Sequence, residues 1–168
     1  MRGLFTPAFW CSFVALSLVL SASSFRNVSV FPFFDGVFTY ARDISITAKA
    51  MSLIVIGLLA TFRPALLHVR ELNAGVLGLM VIGCALPVAL GSGNAPLLVL
   101  TSCALAVRDA WCVLIAGIAA SRLSPAQASV LIPLAFVAQV ASSAFAWLLP
   151  VWAGTVFFLA APFAAWAL

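Results

Sequence analysis

A chain of 168 residues that is 65% hydrophobic and only 7% charged is excluded from the class of ordinary soluble domains. Those carry about 25% charged residues, because their surface must stay hydrated. Eight basic and four acidic side chains leave most of the surface facing something other than water, and a lipid bilayer fits. The formal net charge of +4 does not point to nucleic acid, because the basic residues are few and dispersed and read as topology signals.

A transmembrane helix needs about 20 apolar residues to cross a hydrocarbon core about 30 Å thick. With short turns the chain holds about six. No polar stretch is long enough for a separate soluble domain. The expected fold is therefore an all-α membrane protein, a single polytopic domain over residues 1–168 built as a bundle of about six transmembrane helices.

The first span is expected over 7–24, between Arg2 and Arg26. A signal peptide competes for this segment, since Leu20-Ser21-Ala22-Ser23 offers small residues for cleavage. Residues 25–42 form the longest connection, rich in aromatic side chains that favour the membrane–water interface. Asp35 and Asp43 share this region with Arg26 and Arg42 and read as solvated loop charges. The second span is expected over 44–62. Lys49 lies inside it, near enough to an end for its ammonium to snorkel toward water. Arg63-Pro64 closes that span, and Arg63, His68, Arg70 and Glu71 lie in the following connection.

The third span is expected over 72–90, with Pro87 kinking its end and with Ala74, Gly75 and Gly78 as small residues that let helices approach in lipid. Gly91-Ser92-Gly93-Asn94 reads as a tight turn. The fourth span covers 95–121, the fifth 126–149 with Pro133 and Gln139 inside, and the sixth 151–168. Only Trp166 anchors the last span, which suggests that the bundle belongs to a longer protein.

Lys and Arg set the expected orientation. Arg2, Arg63, Arg70 and Arg122 fall on one side, and Arg26, Arg42 and a snorkelling Lys49 on the other. The positive-inside rule then puts both termini in the cytoplasm.

Arg108-Asp109 is the most informative pair. Arg108 lies 14 residues from both Asn94 and Arg122, about 21 Å at 1.5 Å per residue. A charge near the midplane costs about 2.5–3.5 kcal/mol on insertion scales. Neighbours on a helix do not face one another, so at least one of the two calls for a partner on another helix or a water-filled cavity. Three readings stay open: a polar pocket for a small ligand or ion, a buried ion cluster that fixes packing, and a span broken into half-helices at 95–107 and 111–121. Arg108, Asp109, Lys49 and Gln139 are the candidate ligand-binding residues. His68 is the only histidine, and no HExxH, GxSxG or Walker pattern occurs. No catalytic residue, metal or cofactor is expected, and the chain does not read as an enzyme. Cys11, Cys84, Cys103 and Cys112 lie in apolar stretches without a CxxC pair and read as buried free thiols.

Six spans with inside termini and a short basic second–third connection resemble one half of a major-facilitator-type transporter. That connection, Thr61-Phe62-Arg63-Pro64-Ala65-Leu66-Leu67-His68-Val69-Arg70, lacks the Asp and the glycines of the family's loop pattern. Phe33-Phe34-Asp35-Gly36-Val37-Phe38-Thr39-Tyr40-Ala41-Arg42-Asp43 and Arg108-Asp109-Ala110-Trp111-Cys112-Val113-Leu114-Ile115-Ala116-Gly117 resemble the membrane-embedded N-terminal region of LuxR-type helix-turn-helix regulators of actinobacteria. That region is itself a degenerate facilitator-like half. The resemblance covers nearly the whole chain without a strict motif. It implies a ligand-responsive membrane region of a transcriptional regulator, cut before its DNA-binding domain and so without direct nucleic-acid binding. The alternative is a small transporter or permease subunit. Expected partners are the lipid bilayer, a small-molecule ligand, and a second half or a second copy.

Overall fold

The computed structural model describes residues 5–63, 65 and 70–168; Arg2 and His68 lie outside them. Among the described residues the fold is all-helical, with 85% of them in helix and no strand. The elements in chain order are α1 (Pro7–Ser29), a 3-10 turn at Phe31–Phe33, α2 (Ala41–Phe62), α3 (Arg70–Gly83), α4 (Leu86–Ser92), α5 (Ala95–Ser121), α6 (Pro125–Ala146) and α7 (Val151–Ala167).

Local chemistry sets the helix starts. Pro7 opens α1 and the Thr6 hydroxyl accepts the Phe9 amide at 3.2 Å. At α6 the Ser124 hydroxyl accepts the Gln127 amide while the Gln127 side chain accepts the Ser124 amide, a reciprocal cap that satisfies two orphan donors. Asn94 caps α5 by accepting the Leu97 amide at 2.9 Å. Gly93 ends α4 with φ of 65°, a left-handed conformation that costs glycine nothing.

Five segments are long and apolar enough to cross a membrane: 7–33, α2, the stretch 73–92, α5 and α6. Large apolar side chains are exposed along them, among them Leu58 at 53%, Val137 at 64% and Val140 at 69%. Water would penalise such a surface, and hydrocarbon does not. α7, at 17 residues, is about 25 Å long at 1.5 Å per residue and is shorter than the other five.

Several expected boundaries move. α1 runs to Ser29, not to residue 24, and Arg26 is a nearly buried residue of its last turn. A cation near a helix C-terminus suits the negative end of the helix dipole, so Arg26 extends the helix where a loop charge was expected. α2 begins at Ala41, with Asp43 in its first turn, again as the dipole favours. α6 stops at Ala146 rather than at 149, and the chain turns before Pro150, because the residue preceding a proline avoids the α region. The expected third span is interrupted: α3 ends at Gly83, Cys84 and Ala85 form a turn, and α4 starts at Leu86. Pro87 lacks the N–H that would bond the carbonyl of Gly83, and its ring crowds that carbonyl.

The chain forms two compact units. The first comprises residues 1–30 and 112–168, the second residues 31–111. In the first, α1 packs against α6 and α7. The Ser142 hydroxyl donates to Ser21 Oγ at 2.8 Å, Gln139 Nε2 donates to Ser24 Oγ at 3.5 Å, and the Thr155 hydroxyl donates to the Ser29 carbonyl at 3.3 Å. Gly154 lets α7 close onto α1, since a Cβ there would collide with the Ser29 side chain. In the second unit, Gly83 abuts the Leu105 side chain in the same way. Gly75 and Gly78, singled out in the sequence, have no such neighbour among the described residues: a Cβ on either would meet nothing within 4 Å. The cysteines also depart from expectation. All four are free, but Cys11 and Cys84 are exposed and only Cys112 is buried.

Candidate functional site

The candidate site is carried by α5, the most enclosed of the five apolar segments: 61% of its most apolar window is buried, against 6% for α2. α5 is unbroken from Ala95 to Ser121, which removes the reading of two half-helices at 95–107 and 111–121. Arg108 is its central residue, about 20 Å from either end at 1.5 Å per residue. Its side chain is fully buried, and Asp109 is 5% exposed.

The two side chains pair directly, contrary to expectation. Arg108 Nη2 and Nε both donate to Asp109 Oδ1, at 2.6 and 3.0 Å. Neighbouring Cβ atoms diverge on a helix, but the arginine stem is long enough to fold back, and its fork presents two donors to one oxygen. Charge-assisted bonds of this length are among the stronger ones. The pairing lowers the cost of holding two charges away from water without removing it.

Bonds from α2 and α3 bracket the ion pair along α5. On one side the Ser45 hydroxyl of α2 donates to the Ser102 carbonyl at 3.3 Å, and both serines are buried. On the other side Trp111 Nε1 donates to Asn73 Oδ1 of α3 at 3.0 Å. The interruption between α3 and α4 follows Gly83, which rests on Leu105, one turn of α5 before Arg108 and Asp109. A groove of about 580 Å³ opens in the same unit, lined by Met51 and Val55 of α2, Gly75 and Leu79 of α3, and Val107 and Trp111 of α5 among others. That is within the usual range of ligand pockets, which are mostly apolar with a few placed polar groups.

Of the four candidates named from sequence, Arg108 and Asp109 are in contact, and Lys49 is a half-buried residue of α2 in the same unit. Gln139 belongs to the other unit and bonds Ser24 there. Sequence reasoning missed Ser45, Ser102, Asn73 and the Gly83–Leu105 approach. Single serines, asparagines and glycines inside apolar runs are too common to mark a contact in advance. Asp35 is exposed, and Arg42 stands over the Phe31 ring, 5.3 Å from its centroid.

Comparison with models of protein families, with curated proteins and with solved structures gives no match, so similarity assigns the chain to no family, neither LuxR-type regulators nor facilitator-type transporters.

Proposed function

We propose that this chain is a multi-pass protein of the cell membrane, with six spans and cytoplasmic termini, whose α5 carries a recognition site for a small polar ligand. In this reading it serves as the ligand-responsive membrane region of a transcriptional regulator. The supporting observation is the Arg108–Asp109 ion pair, buried at the centre of the most enclosed helix, in a unit that also holds a groove of ligand size. Ionisable groups at membrane depth are expensive and usually mark function. The regulatory half of the reading rests on the resemblance of residues 33–43 and 108–117 to LuxR-type regulators. The inside termini rest on the sequence alone, on Arg2, Arg63, Arg70 and Arg122 against Arg26, Arg42 and Lys49.

Replacing Arg108 with alanine tests the site. Ligand response is lost while the protein still inserts and accumulates; loss of accumulation alone would make the pair a packing device. A helix-turn-helix reading frame next to the coding sequence would support the regulatory role.

One observation favours the transport alternative. The third span is discontinuous at Cys84–Ala85, just after Gly83 meets Leu105, one turn of α5 before the charged pair, and transporters often build substrate sites on interrupted helices. Ligand flux across proteoliposomes, absent in Arg108→Ala, would establish transport over sensing.

A further inference from the structure

The groove of the second unit suits an apolar occupant. Among the described residues that line it, only Ser52 and Trp111 carry a side-chain N–H or O–H, and both are engaged. The Ser52 hydroxyl donates to the Ala48 carbonyl at 2.7 Å, and Trp111 Nε1 donates to Asn73 Oδ1 at 3.0 Å. Val107 and Trp111 share one face of α5, and the position of Asp109 falls on the opposite face at 3.6 residues per turn. The groove is therefore a different place from the ion pair.

Its depth matches one leaflet of a bilayer. Along α2 the lining runs from Met51 to Leu59, about 12 Å at 1.5 Å per residue, against about 15 Å for half of a hydrocarbon core. Val107 adjoins the central residue of α5, and Leu59 lies within the last turn of α2. On the other side of Met51, α2 closes on α5: Ser45 is buried and its hydroxyl donates to the Ser102 carbonyl at 3.3 Å. The groove is thus a wedge, shut toward the start of α2 and open toward the α2–α3 connection. A helix of a second copy would need a surface running the whole depth, and an acyl chain needs only half.

The open end is basic. Arg63 follows α2 as its C-terminal cap and is exposed, four residues past Leu59, or about 6 Å. Arg70 begins α3, five residues before Gly75, or about 7.5 Å. Glu71 is the only acidic residue from 44 to 108. We propose that the groove holds one acyl chain of an anionic phospholipid whose headgroup lies at Arg63 and Arg70. Basic residues between membrane helices hold such headgroups, and the start of α3 adds the positive end of its dipole. The site is independent of the polar-ligand reading above.

The test uses the full chain in phosphatidylcholine vesicles with a minority of phosphatidylglycerol. Trp10, Trp147, Trp152 and Trp166 are replaced by phenylalanine, so that Trp111 is the sole tryptophan. Bromine at mid-chain on one lipid at a time quenches Trp111 on contact. At equal mole fraction, brominated phosphatidylglycerol is preferred by about fivefold or more over brominated phosphatidylcholine, and salt lowers the preference. Arg63→Gln with Arg70→Gln brings the two lipids level, and Arg63→Lys with Arg70→Lys keeps the preference. Gly75→Leu fills the groove from α3, where an added Cβ meets nothing within 4 Å, and Val55→Phe fills it from α2. Each lowers quenching by both lipids. Equal quenching by the two lipids in the parent, or a preference that survives loss of both arginines, would overturn the headgroup assignment. Quenching unchanged in both groove-filling variants would overturn the acyl chain. If neither brominated lipid reaches Trp111 and a cysteine at Gly75 cross-links two chains, a second copy fills the groove and the proposal falls.

Discussion

Removing Asp109 separates a functional ion pair from a merely tolerated one. The carboxylate accepts two bonds from Arg108, at 2.6 and 3.0 Å, from a side chain with no exposed surface. Asp109→Ala leaves that guanidinium without its counter-charge at the centre of α5. Breaking a buried pair from one side costs about 3–5 kcal/mol. Asp109→Asn keeps an acceptor and loses only the charge, so it costs less, about 1.5–3 kcal/mol. The double variant Arg108→Met with Asp109→Leu removes both charges and keeps apolar volume. It should be neutral or more stable by about 1–4 kcal/mol. Reversible unfolding of the purified chain in mixed micelles measures all three, and ligand response is measured in parallel. A double variant that is stable yet unresponsive marks the pair as functional. Asp109→Ala within about 1 kcal/mol of the parent would refute the reasoning, since a guanidinium that is cheap to strand is not held in a low-dielectric site.

Gly154→Ala should destabilise the first unit by about 1–3 kcal/mol, because its Cβ collides with the Ser29 side chain; Ser29→Gly should recover part of the loss, and a lack of recovery in the same unfolding assay would assign the strain elsewhere. A double-mutant cycle on Ser21 and Ser142, 2.8 Å apart, should give a coupling of about 0.6 kcal/mol, the usual worth of such bonds between membrane helices; zero coupling would make the bond dispensable. Cysteines introduced at Asp35, Gly93 and Leu148 should react with an impermeant maleimide from outside the cell, and one at Leu123 only after permeabilisation, in a background with the native thiols replaced. Labelling of positions 35 and 123 from the same side would sink the six-span topology.

Composition and the length of the apolar runs pointed to the helical class and to an apolar outer surface. With 7% charged residues the backbone must satisfy itself inside an apolar solvent, and helices do so without partners. The starts of α1 and α6 lie within a residue of the expected 7 and 126, because Thr6-Pro7 and Ser124-Pro125 carry local capping chemistry. The two charges at the middle of α5 stood out for the same reason: their cost in hydrocarbon depends on depth, which counting residues reveals. What Arg108 and Asp109 do with one another was not legible, because it depends on a rotamer and not on a spacing. Tertiary structure alone decided that Arg26 is a buried helix-end residue, that Gln139 bonds Ser24, and that Gly83 and Gly154, not Gly75 and Gly78, are where helices close in. A residue's type sets its cost of burial, but which neighbour offsets that cost is settled only when the helices pack.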